Sequence, residues 1–107
     1  MKLLTAELRA QLPELYETEG VPTEEKQVYA KFFFPAGNWT WFVTEGSERD
    51  GDFIFFGYVI GLEKEWGYFS LRELENISIN GLEVERDLYF KTGPFKEVIK
   101  TFRMERS

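Results

Sequence analysis

Apolar and polar positions alternate with a period of two from residue 28. Val28, Ala30, Phe32 and Phe34 fall on one side and Tyr29, Lys31 and Phe33 on the other, the spacing of a strand with one buried face. Pro35-Ala36-Gly37-Asn38 supplies turn chemistry. The alternation then resumes, with Trp39, Trp41 and Val43 against Thr40, Phe42 and Thr44, so the pattern predicts a β-hairpin. GSERDGD at 46–52 is polar and predicts a loop. Phe53 to Leu62 is nearly apolar throughout and predicts a third strand, central and covered on both faces. Gly57 and Gly61 within it predict a bulge or the close approach of another element. Asn80-Gly81 predicts a turn, and Leu82 to Phe90 a fourth strand interrupted by Glu85-Arg86-Asp87.

Helical spacing appears at both ends. Leu4, Leu8, Leu12 and Leu15 share a face, and Thr5 can cap a helix opening at Ala6. Pro13 removes an amide donor and disfavours the α region for Leu12, which limits that helix to about 5–12. The polar stretch 17–27 predicts an exposed connection. Ser70-Leu71-Arg72-Glu73 matches a capping box and predicts a short helix over 71–77. Gly93-Pro94 opens a last helix with proline at its first position. Phe95, Val98, Ile99 and Phe102 form its apolar stripe, with Lys96, Lys100 and Arg103 opposite. The fold class expected is α+β: an antiparallel sheet of about four strands, an N-terminal helix, a short helix after the third strand and a C-terminal amphipathic helix.

Fourteen of the nineteen aromatic residues lie between 28 and 69, enough for a thick aromatic layer on at least one face of that sheet. The length of 107 residues suits a single domain, 1–107, with one core. Cysteine and histidine are both absent, which excludes disulfides, thiolate metal sites and the commonest general base. Catalysis would rest on carboxylates, Lys, Tyr, Ser or Thr. No apolar run approaches a membrane span, and the charged N-terminal stretch is unlike a signal peptide, so a cytoplasmic protein with no membrane association is expected. Net charge is −6, with the acid concentrated before residue 88 and a small basic excess after it. The body should repel phosphate backbones, and only the C-terminal segment offers a basic surface.

Four groups of residues invite a functional reading, each beside a plainer one. Asp50 and Asp52, with Glu45 and Glu48, are the densest carboxylates and suit a hard cation, but not at EF-hand spacing; a solvated hairpin loop explains them too. Trp39, Trp41 and Tyr68, with Thr40, Tyr58 and Trp66, could stack on bases, or simply fill the core. Arg86 alternates onto the aromatic side, where it could meet an anionic ligand or close a structural ion pair. Lys96, Lys100 and Arg103 could bind an acidic partner, or serve only as the charged face of a surface helix. Gly57 and Gly61 lack the Lys-Ser/Thr and helix start of a phosphate loop.

GNWTWFVTE (37–45), FFGYVIGLEKEWGYFSLRELE (55–75) and GLEVERDLYF (81–90), with the opening KLLTAELRAQLPELYETE and VYAKFFFP, resemble a bacterial family, domain of unknown function 2958, over roughly residues 2–92. The resemblance implies that Glu85-Arg86-Asp87 recurs in the family, and it does not extend to the tail from Phe95. It implies a context rather than a chemistry: accessory genes of plasmids, integrative elements and phages, many of which act on host defence or conjugation. The expected function is therefore a small non-enzymatic accessory protein that binds and modulates a host or phage protein, as an anti-defence inhibitor. The alternatives are a nucleotide or single-stranded nucleic-acid binding module, or a carboxylate-metal-dependent hydrolase using Glu45, Asp50 and Asp52. No cofactor is expected, and the oligomeric state stays open.

Overall fold

The computed structural model describes residues 1–106. Helix α1, Ala6–Gln11, starts where Thr5 accepts a hydrogen bond from the Leu8 amide at 3.1 Å. It stops at Leu12, which is extended, as the proline at 13 requires. A turn at 15–20 and a short 3₁₀ helix, Thr23–Glu25, lead to β1, Gln27–Val28. The strand expected at 28–34 is broken at Tyr29, whose amide donates to the Val43 carbonyl, and resumes as β2, Ala30–Phe33.

Strand β3 spans Thr40–Arg49 and β4 spans Asp52–Ile60. Their pairing runs out to Arg49 opposite Asp52. The loop expected at 46–52 is thus only a two-residue turn at Asp50 and Gly51, with φ of 49° and 81°. Asp-Gly tolerates two consecutive left-handed residues and matches the twist of a tight hairpin. Strand β5, Lys64–Ser70, pairs with Ile54 to Ile60 of β4 and has no counterpart among the predicted elements. Helix α2, Leu71–Glu75, carries both hydrogen bonds of the expected capping box between Ser70 and Glu73. Replacing Ser70 with Ala should cost about 1 kcal/mol in urea denaturation at unchanged slope.

Residues 82–90 do not form one strand. Ser78–Ile79 (β6) and Leu82–Glu83 (β7) make a small hairpin about Asn80-Gly81, and Glu85–Arg86 (β8) pairs with β2. Gly93–Pro94 (β9) pairs with β1, so proline caps rather than opens α3, Phe95–Glu105.

The main sheet is antiparallel, in the order β5-β4-β3-β2-β8. Its central strand is β3, buried on both faces from Thr40 to Ser47. The stretch 53–62 was expected there; as β4 it lies one strand in from an edge, with one face buried and the other half-buried. A bulge at Thr44 shifts the register opposite Gly57. There a Cβ would fall on the Phe42 carbonyl oxygen, which explains the glycine.

The aromatic density reflects two cores. On one face Phe32, Phe55, Phe53 and Phe69 pack with Leu4, Leu8, Leu12 and Leu74 of the N-terminal segment and α2. On the other, Phe42 and Val28 meet the α3 stripe of Phe95, Val98, Ile99 and Phe102, with Tyr58 and Trp66 beside them.

Candidate functional site

The first of the two faces carries an apolar cup at the hairpin end of the sheet. Trp39 and Trp41 follow each other at strand spacing, so both point the same way, and their rings stack at 5.8 Å with planes 25° apart. Trp41 is buried at 5% exposure, whereas Trp39 retains 39%. Trp39 lies against Gly61, where any Cβ would strike its ring. Phe34, Leu74, Ile77 and Ile79 complete a cup of about 300 Å³, with Glu73 the one charged side chain in its wall. One Glu73 oxygen already accepts from the Ser70 amide. Ile79 and Leu82 face each other across the small hairpin and stand 56% and 40% exposed.

The ground around this cup is acidic. Glu73 and Glu75 of α2 and Glu83 of β7 stand on the elements that border it, and none has an ion-pair partner among the described residues. Arg72, the cation within α2, donates to the Gly51 carbonyl at 3.1 Å.

The other candidate residues do not gather there. Tyr68 lies on the opposite face: it pairs with Phe56, three residues before Val59, the residue opposite Trp41. It is exposed beside Tyr16, with ring centroids 6.1 Å apart. The hydrogen bond with the Tyr16 hydroxyl, and then burial, raise the Tyr68 phenol above its ordinary value.

Arg86 sits opposite Phe32 at the sheet edge, half-buried, and its Nε has no hydrogen-bond partner among the described residues. The ion pair of the 85–87 triplet belongs instead to Asp87, 3.5 Å from Lys31.

Lys96, Lys100 and Arg103 all face solvent, but Lys96 bonds Glu25 at 2.8 Å. That hydrogen bond holds its ammonium above the ordinary lysine value. The contact therefore persists at neutral pH and is lost as pH rises through the raised value.

The three carboxylates once grouped for a metal are far apart in role. Glu45 is buried on the Tyr68 face, where it accepts from the amides of Tyr16 (2.9 Å) and Thr18 (3.1 Å) and from the Thr18 hydroxyl. Lys26 lies 3.8 Å from it and donates to the Thr18 carbonyl and hydroxyl. This buried Lys26 corrects the expectation of an exposed connection over 17–27. Asp52 accepts from the amides of Phe53 and Arg72. Burial pushes the Asp52 carboxyl up, but those hydrogen bonds outweigh it, and the net shift is downward. Asp50 occupies the exposed turn. Among the described residues no group of three or more carboxylates could hold a metal ion.

The family model described as "Protein of unknown function (DUF2958)" matches residues 3–103. The chain belongs to that family. No curated protein and no solved structure matches it. The DUF2958 match takes in every element that builds the cup and extends through most of α3, so this helix is part of the family pattern rather than an addition peculiar to the chain. No helix among the described residues is long and apolar enough to cross a membrane.

Phe34, Leu74, Ile77, Ile79 and Leu82 escaped the sequence reading as site residues. The available signal was Ile79-Asn80-Gly81-Leu82: two aliphatics flanking a tight turn in a hairpin too short to bury them.

Proposed function

We propose that this DUF2958 protein is a non-enzymatic binding protein whose partner is another protein, docking at the Trp39 cup. The observation that carries this is a half-open Trp39 over an apolar cup, with Ile79 and Leu82 projecting at its lip and carboxylates around it. Contiguous exposed apolar surface with a polar rim is the anatomy of a protein interface, and tryptophan is prominent among interface anchors. Charge complementarity specifies the occupant: an apolar side chain entering the cup, carried on a partner segment with Lys or Arg to either side. The family's association with plasmids, integrative elements and phages supports a host or phage protein as that partner. An anti-defence inhibitor acting in the cytoplasm would work in this way, by occupying a surface rather than by chemistry.

A photo-crosslinking residue placed at Leu82 in cells tests the reading, with one at Tyr89, on the far side of the sheet, as control. The expected adduct forms from position 82, maps to an apolar residue flanked by Lys or Arg, and disappears when Ile79→Glu is added. That substitution, on a largely exposed side chain, should shift stability by no more than about 0.5 kcal/mol. Adducts equally strong from Tyr89, or none from 82, would overturn it.

A further inference from the structure

We propose a nucleotide-binding site on the face opposite the Trp39 cup, in the hollow between the end of α3 and the start of β5. Lys64, Arg103 and Arg106 line one cavity of about 370 Å³ whose floor is Ile60, Gly61 and Phe102. No carboxylate lines it, in a chain with net charge −6. None of the three cations has an ion-pair partner among the described residues. Arg106 is oriented from two sides: its Nη2 donates to Asn38 Oδ1 at 3.0 Å, and its guanidinium carbon lies 5.2 Å from the centre of the Phe102 ring.

Favourable interaction with the helix dipole accounts for basic residues in the last turn of α3. It does not account for Lys64, the first residue of β5, which the pairing of Ile60 with Lys64 brings to the same hollow. Three unpaired cations converging from two elements hold a potential that an anion would relieve, and arginine forks suit phosphoryl oxygens. The hollow also has the size of a small-molecule site, larger than a lone phosphate needs. Its apolar floor offers contact to a planar, weakly polar group. A nucleoside diphosphate meets both demands, with the diphosphate against Lys64 and Arg103 and the nucleoside over Ile60 and the planar Arg106 guanidinium that covers Phe102. This site shares no lining residue with the Trp39 cup and is independent of the docking reading.

Calorimetric titration with ADP at low salt tests it, with inorganic pyrophosphate and octathymidylate as parallel probes. The expected result is saturable binding of ADP, at least tenfold weaker binding of pyrophosphate, and at least tenfold loss for the Lys64→Gln/Arg103→Gln double variant at unchanged melting temperature. Lys100→Gln, on the same helix but outside the hollow, and Ile79→Glu, in the cup, should both bind ADP as the parent does. Absence of ADP binding, or equal binding by the double variant, overturns the site. Pyrophosphate binding as tightly as ADP, or octathymidylate binding more tightly, overturns the assignment to a nucleotide.

Discussion

Replacing Lys26 with Met will destabilise the protein by about 3 kcal/mol or more, the range for breaking a buried ion pair from one side. The Lys26 and Glu45 side chains are 6% and 4% exposed, and the Glu45 carboxylate stays in place after the substitution because the amides of Tyr16 and Thr18 still donate to it. What disappears is the cation 3.8 Å away and its two hydrogen bonds to Thr18. Those bonds, with that of the Leu15 amide to Ser47, pin the polar connection between α1 and β1 across the sheet. The destabilisation should therefore exceed that expected from loss of a surface lysine by several-fold. A double-mutant cycle in urea with Glu45→Leu measures the coupling. The double variant should recover part of the loss, since no charge is then left unpaired. Coupling below about 0.5 kcal/mol would mean that the two groups act separately.

The same network shows where the sequence was silent. Glu45, Ser47 and Lys26 read as loop residues because polar side chains usually lie in water, and in this chain they are buried because each is held by the backbone of 15–18 or by Thr18. Tertiary satisfaction of that kind has no local signature. Elements whose determinants are local were legible: the Thr5 cap, the Ser70–Glu73 capping box, the Asn80-Gly81 turn and the α3 stripe all stand as expected. Asp50-Gly51 was equally local, and its polar neighbours hid it. Strand β5 was missed because Lys64-Glu65 and Gly67 break the apolar pattern at a sheet edge, where side chains stay exposed and alternation weakens. The site divides along the same line. Trp39 and Trp41 could be singled out from composition and strand spacing, but which of the two is open depends on α2 and on the hairpin that crosses beside them. Lys64 and Arg106 joined the basic hollow only through the pairing of β4 with β5 and the docking angle of α3.

Gly57 is the position where a single methyl group should do the most damage to the sheet. The bulge at Thr44 places one extra residue in the central strand, anchored by the Thr44 hydroxyl donating to the Phe56 carbonyl at 2.9 Å. The bend it produces brings the Phe42 carbonyl into the space a Cβ on residue 57 would occupy, with Val43 Cα beside it. Both obstacles are backbone atoms of β3, the strand buried on both faces, so neither can swing aside as a side-chain tip would. Relief requires β3 and β4 to separate or the bulge to move, and either disturbs Phe42 in one core and Phe55 in the other. Gly57→Ala should therefore cost about 3 kcal/mol, at the upper end of ordinary overpacking. Gly67, its pairing partner on β5, provides the internal comparison: a Cβ there meets nothing within 4 Å. Gly67→Ala should leave stability unchanged or raise it by up to about 1 kcal/mol through reduced freedom of the unfolded chain. Urea denaturation of the two variants side by side decides the matter, because both lose the same glycine flexibility and only one meets the bulge. Equal midpoints would show that the close approach at Phe42 does not constrain the sheet.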